Sequence, residues 1–170
     1  MSGEEPALRA ALEALEAARC AWLVNPTAHG FVEHFDERLR FEHSTGRVDD
    51  AESFRAFVLS GTVDYRAVEH RLRSISGGVW LGTATATGAL HTELVKAGER
   101  KRLASSTRAE FALGPEGWRL LSLVCTALPA SGGPADAAGA PAIADPVPTG
   151  PVGGSRLTAV GQEAPHGADR

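Results

Sequence analysis

Strand-type sequence fills this chain from Tyr65 to Leu128, and this run constrains the fold more than any other feature. Segments rich in β-branched and aromatic residues are separated by turn-forming groups such as Gly114-Pro115, with no helical pattern between them. Strands that follow one another without helices pair antiparallel, which excludes a doubly wound parallel sheet. We predict five strands: Tyr65 to Ile75, Val79 to Gly88, Ala89 to Val95, Leu103 to Leu113 and Trp118 to Leu128.

Helical patterns are confined to the first third of the chain. Apolar residues recur at helical spacing from Leu8 to Trp22, and a shorter repeat from Phe31 to Phe35 predicts a second helix. A third helix is predicted to begin at a capping-box-like Asp49 and to end near Gly61. Helices followed by antiparallel strands indicate an α+β fold, in which a curved sheet wraps around the N-terminal helices.

The composition changes abruptly after Pro129. Residues 130–170 are dominated by Ala, Gly and Pro and contain no aromatic residue. Such a segment offers too little apolar surface to offset the conformational entropy lost on ordering. We therefore predict one folded domain over residues 6–129 and a disordered tail over residues 130–170.

Charge and cysteine content bear on several classes of function. A net charge of -4 argues against a nucleic-acid partner, because such proteins usually carry a basic excess. The sequence begins without a secretory signal and contains no apolar run long enough to span a bilayer, so we expect a cytoplasmic protein with no membrane contact. Cys20 and Cys125 have no neighbouring cysteine, which favours two buried free thiols over a disulfide.

Three segments together resemble the nuclear-transport-factor-two-like superfamily and, within it, the small SnoaL-like domains. They are "FEHSTGRVDDAESFRAFVLSGTVDY", "VWLGTATATG" and "GWRLLSLVCTALP", and the match runs from Ala7 to Pro129. The resemblance implies a cone-shaped α+β barrel, in which the helices close one side of a strongly curved, mostly antiparallel sheet around a dead-end pocket. It also implies a homodimer through the outer face of the sheet, which Phe111 and Leu123 would supply here.

The members of this superfamily include ketosteroid isomerases, polyketide cyclases, epoxide hydrolases and dehydratases, together with domains that only bind a ligand or a partner. The fold alone therefore specifies no reaction. This sequence departs from the related domains at two positions. Val124 stands where they often have glutamine, and Arg108 stands where they tend to have a small hydroxyl residue.

Alternation along the strands predicts the residues of the pocket. Phe41 and His43 share the apolar face of an early strand, opposite Arg40 and Glu42. On the last strand the same rule places one set of residues on the concave face, and we predict that they bind substrate: Trp118, Val124 and Thr126. Tyr65, the only tyrosine, is a further candidate, although a core or interface role for it remains open.

His43, Arg108 and Glu110 are the candidate catalytic residues. If the apolar residues next to Arg108 and Glu110 cover a partner subunit, these two charged side chains face the pocket with His43. A histidine or a carboxylate in an apolar cavity serves as general acid or base, and arginine stabilises a developing anion. Two alternatives remain open: Arg108 and Glu110 neutralise each other on an exposed edge, or His43 only fixes the turn that follows it.

The resemblance to the SnoaL-like domains, together with these three residues, implies an enzyme that needs no cofactor and acts by acid-base chemistry on a hydrophobic small molecule. The reaction would be an isomerisation, cyclisation, dehydration or hydration, of the kind found in bacterial secondary metabolism. We expect no metal, because no His, Cys, Asp or Glu residues have the spacing of a metal site. The alternatives are a non-catalytic dimeric module that binds a ligand and, less favoured, a protein-protein adaptor.

Overall fold

The structure of the protein is a computed structural model, and it describes residues 3–129. It has an α+β architecture, and the predicted disordered tail, residues 130–170, lies outside the described residues. The helices are α1 (Glu4–Val24), α2 (Phe31–His34) and α3 (Ala51–Leu59). The strands are β1 (Phe35–Glu42), β2 (Val48–Asp50), β3 (Val63–Gly78), β4 (Thr83–Lys96), β5 (Glu99–Gly114) and β6 (Gly117–Ala127).

The six strands form one sheet in the order β2-β1-β6-β5-β4-β3. All neighbours pair antiparallel except β1 and β6, which are parallel. Helix α1 packs mainly on β3, and α3 packs on β1 and β2. The two helices therefore cover one face of the sheet, and the predicted α+β class is confirmed. Among residues 3–129, no helix is long and apolar enough to cross a bilayer.

Two predicted strands are a single strand in the structure. The residues from Thr83 to Lys96 form β4 without interruption, whereas Val79–Leu81 is a short 3-10 helix that connects β3 to β4. Gly88, at the boundary between the two predicted strands, lies in the middle of β4. A Cβ at this position would collide with the backbone oxygen of Arg71 and crowd the ring of His70, which explains why the residue is glycine. Glycine here permits a close approach rather than a turn.

Helix α3 begins one residue later than predicted. Asp50 is the N-cap: its carboxylate accepts a hydrogen bond of 2.8 Å from the Ser53 backbone N–H, while the Ser53 hydroxyl oxygen accepts one of 2.9 Å from the Asp50 N–H. This reciprocal capping box satisfies two backbone donors. Asp49 is left in β2 and is only 3% exposed, so its carboxylate is available to the site described below.

The hydrophobic core lies between the helices and the inner face of the sheet. Its largest fully buried apolar side chains come from α1, α3 and the last two strands: Leu12, Phe54, Phe111, Leu120 and Leu123. The prediction that Phe111 and Leu123 form an outer dimer face is therefore wrong. Their side chains complete the core of their own chain, because the helices supply the apolar surface that we had assigned to a partner subunit.

A β-bulge in β6 changes which residues face the core. Glu110 pairs with Ser122 but Phe111 pairs with Leu120, so Leu121 is an extra residue in the strand. Leu120 faces the core before the bulge, and Leu123 and Cys125 face it afterwards. A bulge shifts the alternation by one residue. After the bulge, the residues of β6 that face the core are therefore the odd-numbered ones and not the even-numbered ones predicted from Trp118.

Candidate functional site

A cavity of about 140 Å³ lies between α3, the β1–β2 turn and the inner faces of β3, β4 and β5. Its walls are largely apolar, with aromatic side chains from β1 and α3 and aliphatic side chains from β3 and β4: Phe41, Phe54, Phe57, Val68, Leu90 and Leu94. Phe41 and Phe54 stack with ring centroids 4.3 Å apart, which fixes one wall. The cavity therefore has a preformed, mainly apolar surface.

His43 lines this cavity just after the end of β1, and Asp49 holds its ring. The imidazole Nε2 lies 2.7 Å from Oδ2 of Asp49, and the ring also packs 4.7 Å from the Phe41 ring centroid. The other oxygen of Asp49 accepts a 2.9 Å hydrogen bond from Nη2 of Arg47. A carboxylate bonded to one imidazole nitrogen fixes the orientation of the ring.

The backbone of His43 also closes the turn that follows. Its N–H donates to the Arg47 carbonyl at 2.8 Å, and its own carbonyl accepts from the Gly46 N–H at 2.9 Å. The hydrogen bonds that His43 makes to the turn therefore come from its main chain. Its side chain lines the cavity beside Asp49.

Buried charged and polar side chains form a cluster at the floor of the cavity, which we call the floor cluster: Glu16, Arg19, His70 and Thr107. Arg19 is fully buried and donates to Glu16 from Nε at 3.0 Å and from Nη2 at 2.5 Å. Nδ1 of His70 bonds the same carboxylate, and Nε2 of His70 lies 2.7 Å from the Thr107 hydroxyl. The cluster joins α1, β3 and β5 beneath the cavity, and of its members Arg19 reaches the cavity lining.

Electrostatics within the floor cluster hold Glu16 ionised. Burial alone would raise the pKa of Glu16, but the charge of Arg19 and hydrogen bonds from His70 and Arg19 outweigh it and lower the pKa to about 2. Burial likewise opposes the charge on Arg19, and Glu16 overcomes it and raises the Arg19 pKa. An ionised carboxylate accepts hydrogen bonds only, so we infer that Nδ1 of His70 carries a proton.

Tyr65 and Cys125 add polar atoms to the cavity lining. Burial raises the pKa of Tyr65 to about 12 and that of the Cys125 thiol to about 11. Tyr65 therefore remains a neutral phenol at physiological pH and can donate a hydrogen bond. Cys125 remains a thiol, and both Cys20 and Cys125 are buried and free, which confirms the prediction made from their spacing.

The structure brings together three of the eight predicted site residues. Phe41, His43 and Tyr65 all line the cavity. Trp118 instead faces a separate surface groove between the start of α1 and the Val79–Leu81 turn. Val124 and Thr126 follow the bulge at Leu121 and lie on the opposite side of β6 from the core residues, so their predicted place in the cavity is wrong.

The predicted meeting of His43 with Arg108 and Glu110 does not occur. Inward-facing residues of β5 are Thr107, Ala109 and Phe111, all buried. Arg108 and Glu110 alternate with them and lie on the outer face, where Arg108 is exposed. The prediction assigned the apolar set to a partner subunit, whereas the chain's own core covers it.

Sequence reasoning missed the floor cluster, including His70, whose side chain is 0% exposed. A signal was present in α1. Leu12, Glu16, Arg19 and Leu23 follow one another at spacings of three or four, so the charged pair falls within the buried stripe of the helix. An oppositely charged pair inside an apolar stripe indicates a buried ion pair.

Solved structures with the same architecture were found, although no family model and no curated protein matches this sequence. An NTF2-like protein from Cytophaga hutchinsonii aligns with a TM-score of 0.59 and 17% identity, over 71% of this chain and 98% of its own. The chain has the NTF2-like fold. A second structure with this fold, an NTF2-like superfamily protein from Salmonella enterica, has a TM-score of 0.56 and 15% identity over 71% and 91% of the two chains.

A third similar structure is described as a putative Ca/calmodulin-dependent kinase II association domain from Exiguobacterium sibiricum. It has a TM-score of 0.62 and 18% identity, over 74% of this chain and 96% of its own. At these identities the likeness extends to the NTF2-like fold alone, which hosts many functions. Among residues 3–129, no three His, Cys, Asp or Glu side chains are grouped as metal ligands would be.

Proposed function

We propose that the protein binds a small, mainly apolar molecule in the cavity described above. The observation that carries the proposal is the preformed cavity of about 140 Å³ with aromatic and aliphatic walls. An apolar cavity of about 150 Å³ holds one benzene-sized molecule in a well-studied engineered protein. The molecule expected here is therefore about the size of one substituted ring or a short aliphatic chain.

Binding of indole, a neutral ring of suitable size, tests this proposal. Ser105 and Ser106 are adjacent in β5, but Ser105 is buried and lines the cavity whereas Ser106 is exposed on the opposite face. Ser105→Leu should place a larger side chain in the cavity. We expect it to weaken indole binding at least about tenfold, because leucine occupies space that the indole ring needs. Ser106→Leu is the matched control and should bind as the wild type does.

Isothermal titration calorimetry measures both affinities, and the melting temperature of each variant shows that it is folded. Equal binding of indole by wild type and Ser105→Leu would contradict the proposal. If Ser105→Leu weakens indole binding as expected, native mass spectrometry of protein purified from its own host identifies the natural ligand.

A second candidate function adds acid-base catalysis on the bound molecule, as SnoaL-like cyclases and isomerases perform. It is supported by the 2.7 Å contact between His43 and Asp49 at the cavity wall. An imidazole that a carboxylate holds in place can act as a general acid or base. We rank it second because Arg108 and Glu110, the other two predicted catalytic residues, lie on the outer face of the sheet.

The test is turnover of the ligand that co-purifies with the protein, or exchange of its acidic C–H hydrogens in deuterated water. His43→Ala should lower the rate at least about tenfold, since general acid-base catalysis typically contributes about a hundredfold or more. His91→Ala is the control, because His91 is exposed on the opposite face of β4. Equal rates for the two variants would rule out a catalytic role for His43.

A further inference from the structure

We propose that the cavity ligand is a monocarboxylate, bound with its carboxylate on Nη1 of Arg19 at the floor and its apolar body against the phenylalanine walls. This inference rests on the proposed ligand-binding function and adds the chemical class of the ligand. It depends on two independent observations: an unsatisfied buried donor and the charge of the cavity lining.

The first observation concerns the hydrogen bonds of Arg19. Nε and Nη2 of its guanidinium both donate to Glu16. Nη1 is buried and has no hydrogen-bond partner among residues 3–129, where it is the only buried side-chain nitrogen or oxygen in that condition. A buried cationic donor without an acceptor is costly, and native proteins rarely retain one without a reason. Arg19 also lines the cavity, so a ligand oxygen bound there can supply the acceptor that this donor lacks.

The second observation is the charge distribution around the cavity. Although the whole chain carries a net charge of -4, the lining includes four cationic side chains and no Asp or Glu. The four are Arg19, Arg47, Lys96 and Lys101. Glu16, Asp49 and Glu99 pair with Arg19, Arg47 and Lys101 respectively, and none of these three carboxylates lines the cavity. With only cationic charged groups in its lining, the cavity favours an anion over a cation.

Exposure along the lining gives the orientation of the ligand. Ser44 and Thr45 are exposed at the mouth, whereas Arg19 is fully buried at the floor. The aromatic walls lie between these two ends. A molecule with one carboxylate therefore enters with that group foremost, and Tyr65, a neutral phenol in the lining, can donate a second hydrogen bond to it.

The number of donors favours a carboxylate over a phosphate. A phosphate group brings a charge of about -1.5 to -2 and three strong acceptor oxygens. The cavity lining offers one unsatisfied guanidinium nitrogen and one phenol, two donors for the two oxygens of a singly charged carboxylate. The volume of the cavity further limits the ligand to about the size of benzoate.

Calorimetric titration of the full chain with benzoate and with benzyl alcohol, its neutral near-isostere, tests the inference at pH 7. We expect benzoate to bind at least about tenfold more tightly, because hydrogen bonds to charged groups are the strong ones. The double variant Glu16→Gln/Arg19→Met removes both buried charges together and should bring the two affinities to within about threefold of each other. Arg108→Met, on the exposed outer face, should leave the preference for benzoate intact.

The outcomes separate the two proposals. Equal affinity of the wild type for both compounds overturns the carboxylate assignment and leaves a cavity that binds neutral molecules. Failure of both compounds and of indole to bind overturns the ligand-binding function itself. A preference for benzoate that persists in the double variant overturns the role of Arg19. If the double variant does not fold, the guanidinium NMR signals of Arg19 in the wild type decide: they should shift with benzoate and stay unmoved with benzyl alcohol.

Discussion

Glu16→Gln should destabilise the protein more than any other conservative change in α1. The substitution preserves shape but removes the charge that Arg19 and His70 bond, and both Glu16 and Arg19 are at most 1% exposed. Removal of one partner from a buried ion pair typically costs about 3–5 kcal/mol, because the remaining charge is left uncompensated. The fall of the Glu16 pKa from 4.5 to about 2 corresponds independently to about 3 kcal/mol of folding free energy.

The same shift predicts how stability depends on pH. Because the folded-state pKa of Glu16 is depressed, its contribution is fully present above pH 4.5 and is lost as the pH falls from 4.5 towards 2. Urea unfolding at several pH values measures this directly. Glu16→Gln should lower the unfolding free energy by about 3 kcal/mol at pH 7 and remove that part of the acid sensitivity.

Glu13→Gln is the matched control for this experiment. Glu13 lies on the exposed side of the same helix, where it pairs with Arg9 at 3.4 Å. Exposed pairs of this kind contribute little, so we expect a change below about 0.5 kcal/mol. If Glu16→Gln destabilises the protein no more than Glu13→Gln does, the floor cluster does not have the energetic role described above.

Two further substitutions test the packing around His70. Gly88→Ala places a Cβ against the Arg71 backbone and the His70 ring and should cost about 1–3 kcal/mol in urea unfolding, whereas Gly114→Ala, whose Cβ would meet its nearest atom at 3.8 Å, should change little. Equal effects of the two would contradict the close approach at Gly88. Thr107→Val removes the hydroxyl 2.7 Å from Nε2 of His70 and should cost about 1–3 kcal/mol, while Thr126→Val on the exposed side of β6 serves as its control. A Thr107→Val protein as stable as Thr126→Val would contradict this reasoning, because loss of the hydroxyl should leave Nε2 of His70 without its hydrogen-bond partner.

Local patterns in the sequence were sufficient for the fold class but not for the side of the sheet that each residue faces. Periodicity and turn residues predict helices early in the chain and antiparallel strands after them, and the structure has this arrangement, although β2 and the continuity of β4 were not predicted. The face of the sheet on which a residue lies can be changed by one extra residue in a strand, such as the bulge residue Leu121. Nothing in the local sequence around Leu121 marks it as a bulge. For β5, parity also depended on what covers Phe111, and only the packing of the helices decides that.

The site shows the same division between local and long-range information. His43 and Phe41 were found because alternation in β1 persists up to the cavity. The contact between His70 and Glu16 joins residues 54 positions apart, and no local pattern indicates which strand will lie over α1. Only the charged pair within the apolar stripe of α1 signalled that a buried polar cluster exists.

The location of bound indole tests the central claim of a ligand-binding cavity most directly. Intermolecular nuclear Overhauser effects between indole and the labelled protein should connect the ring to Phe54, Leu90 and Leu94 inside the cavity. Effects confined to the exposed side chains of the Val79–Leu81 turn, such as Trp80, would contradict the account, as would the absence of any contact at saturating indole.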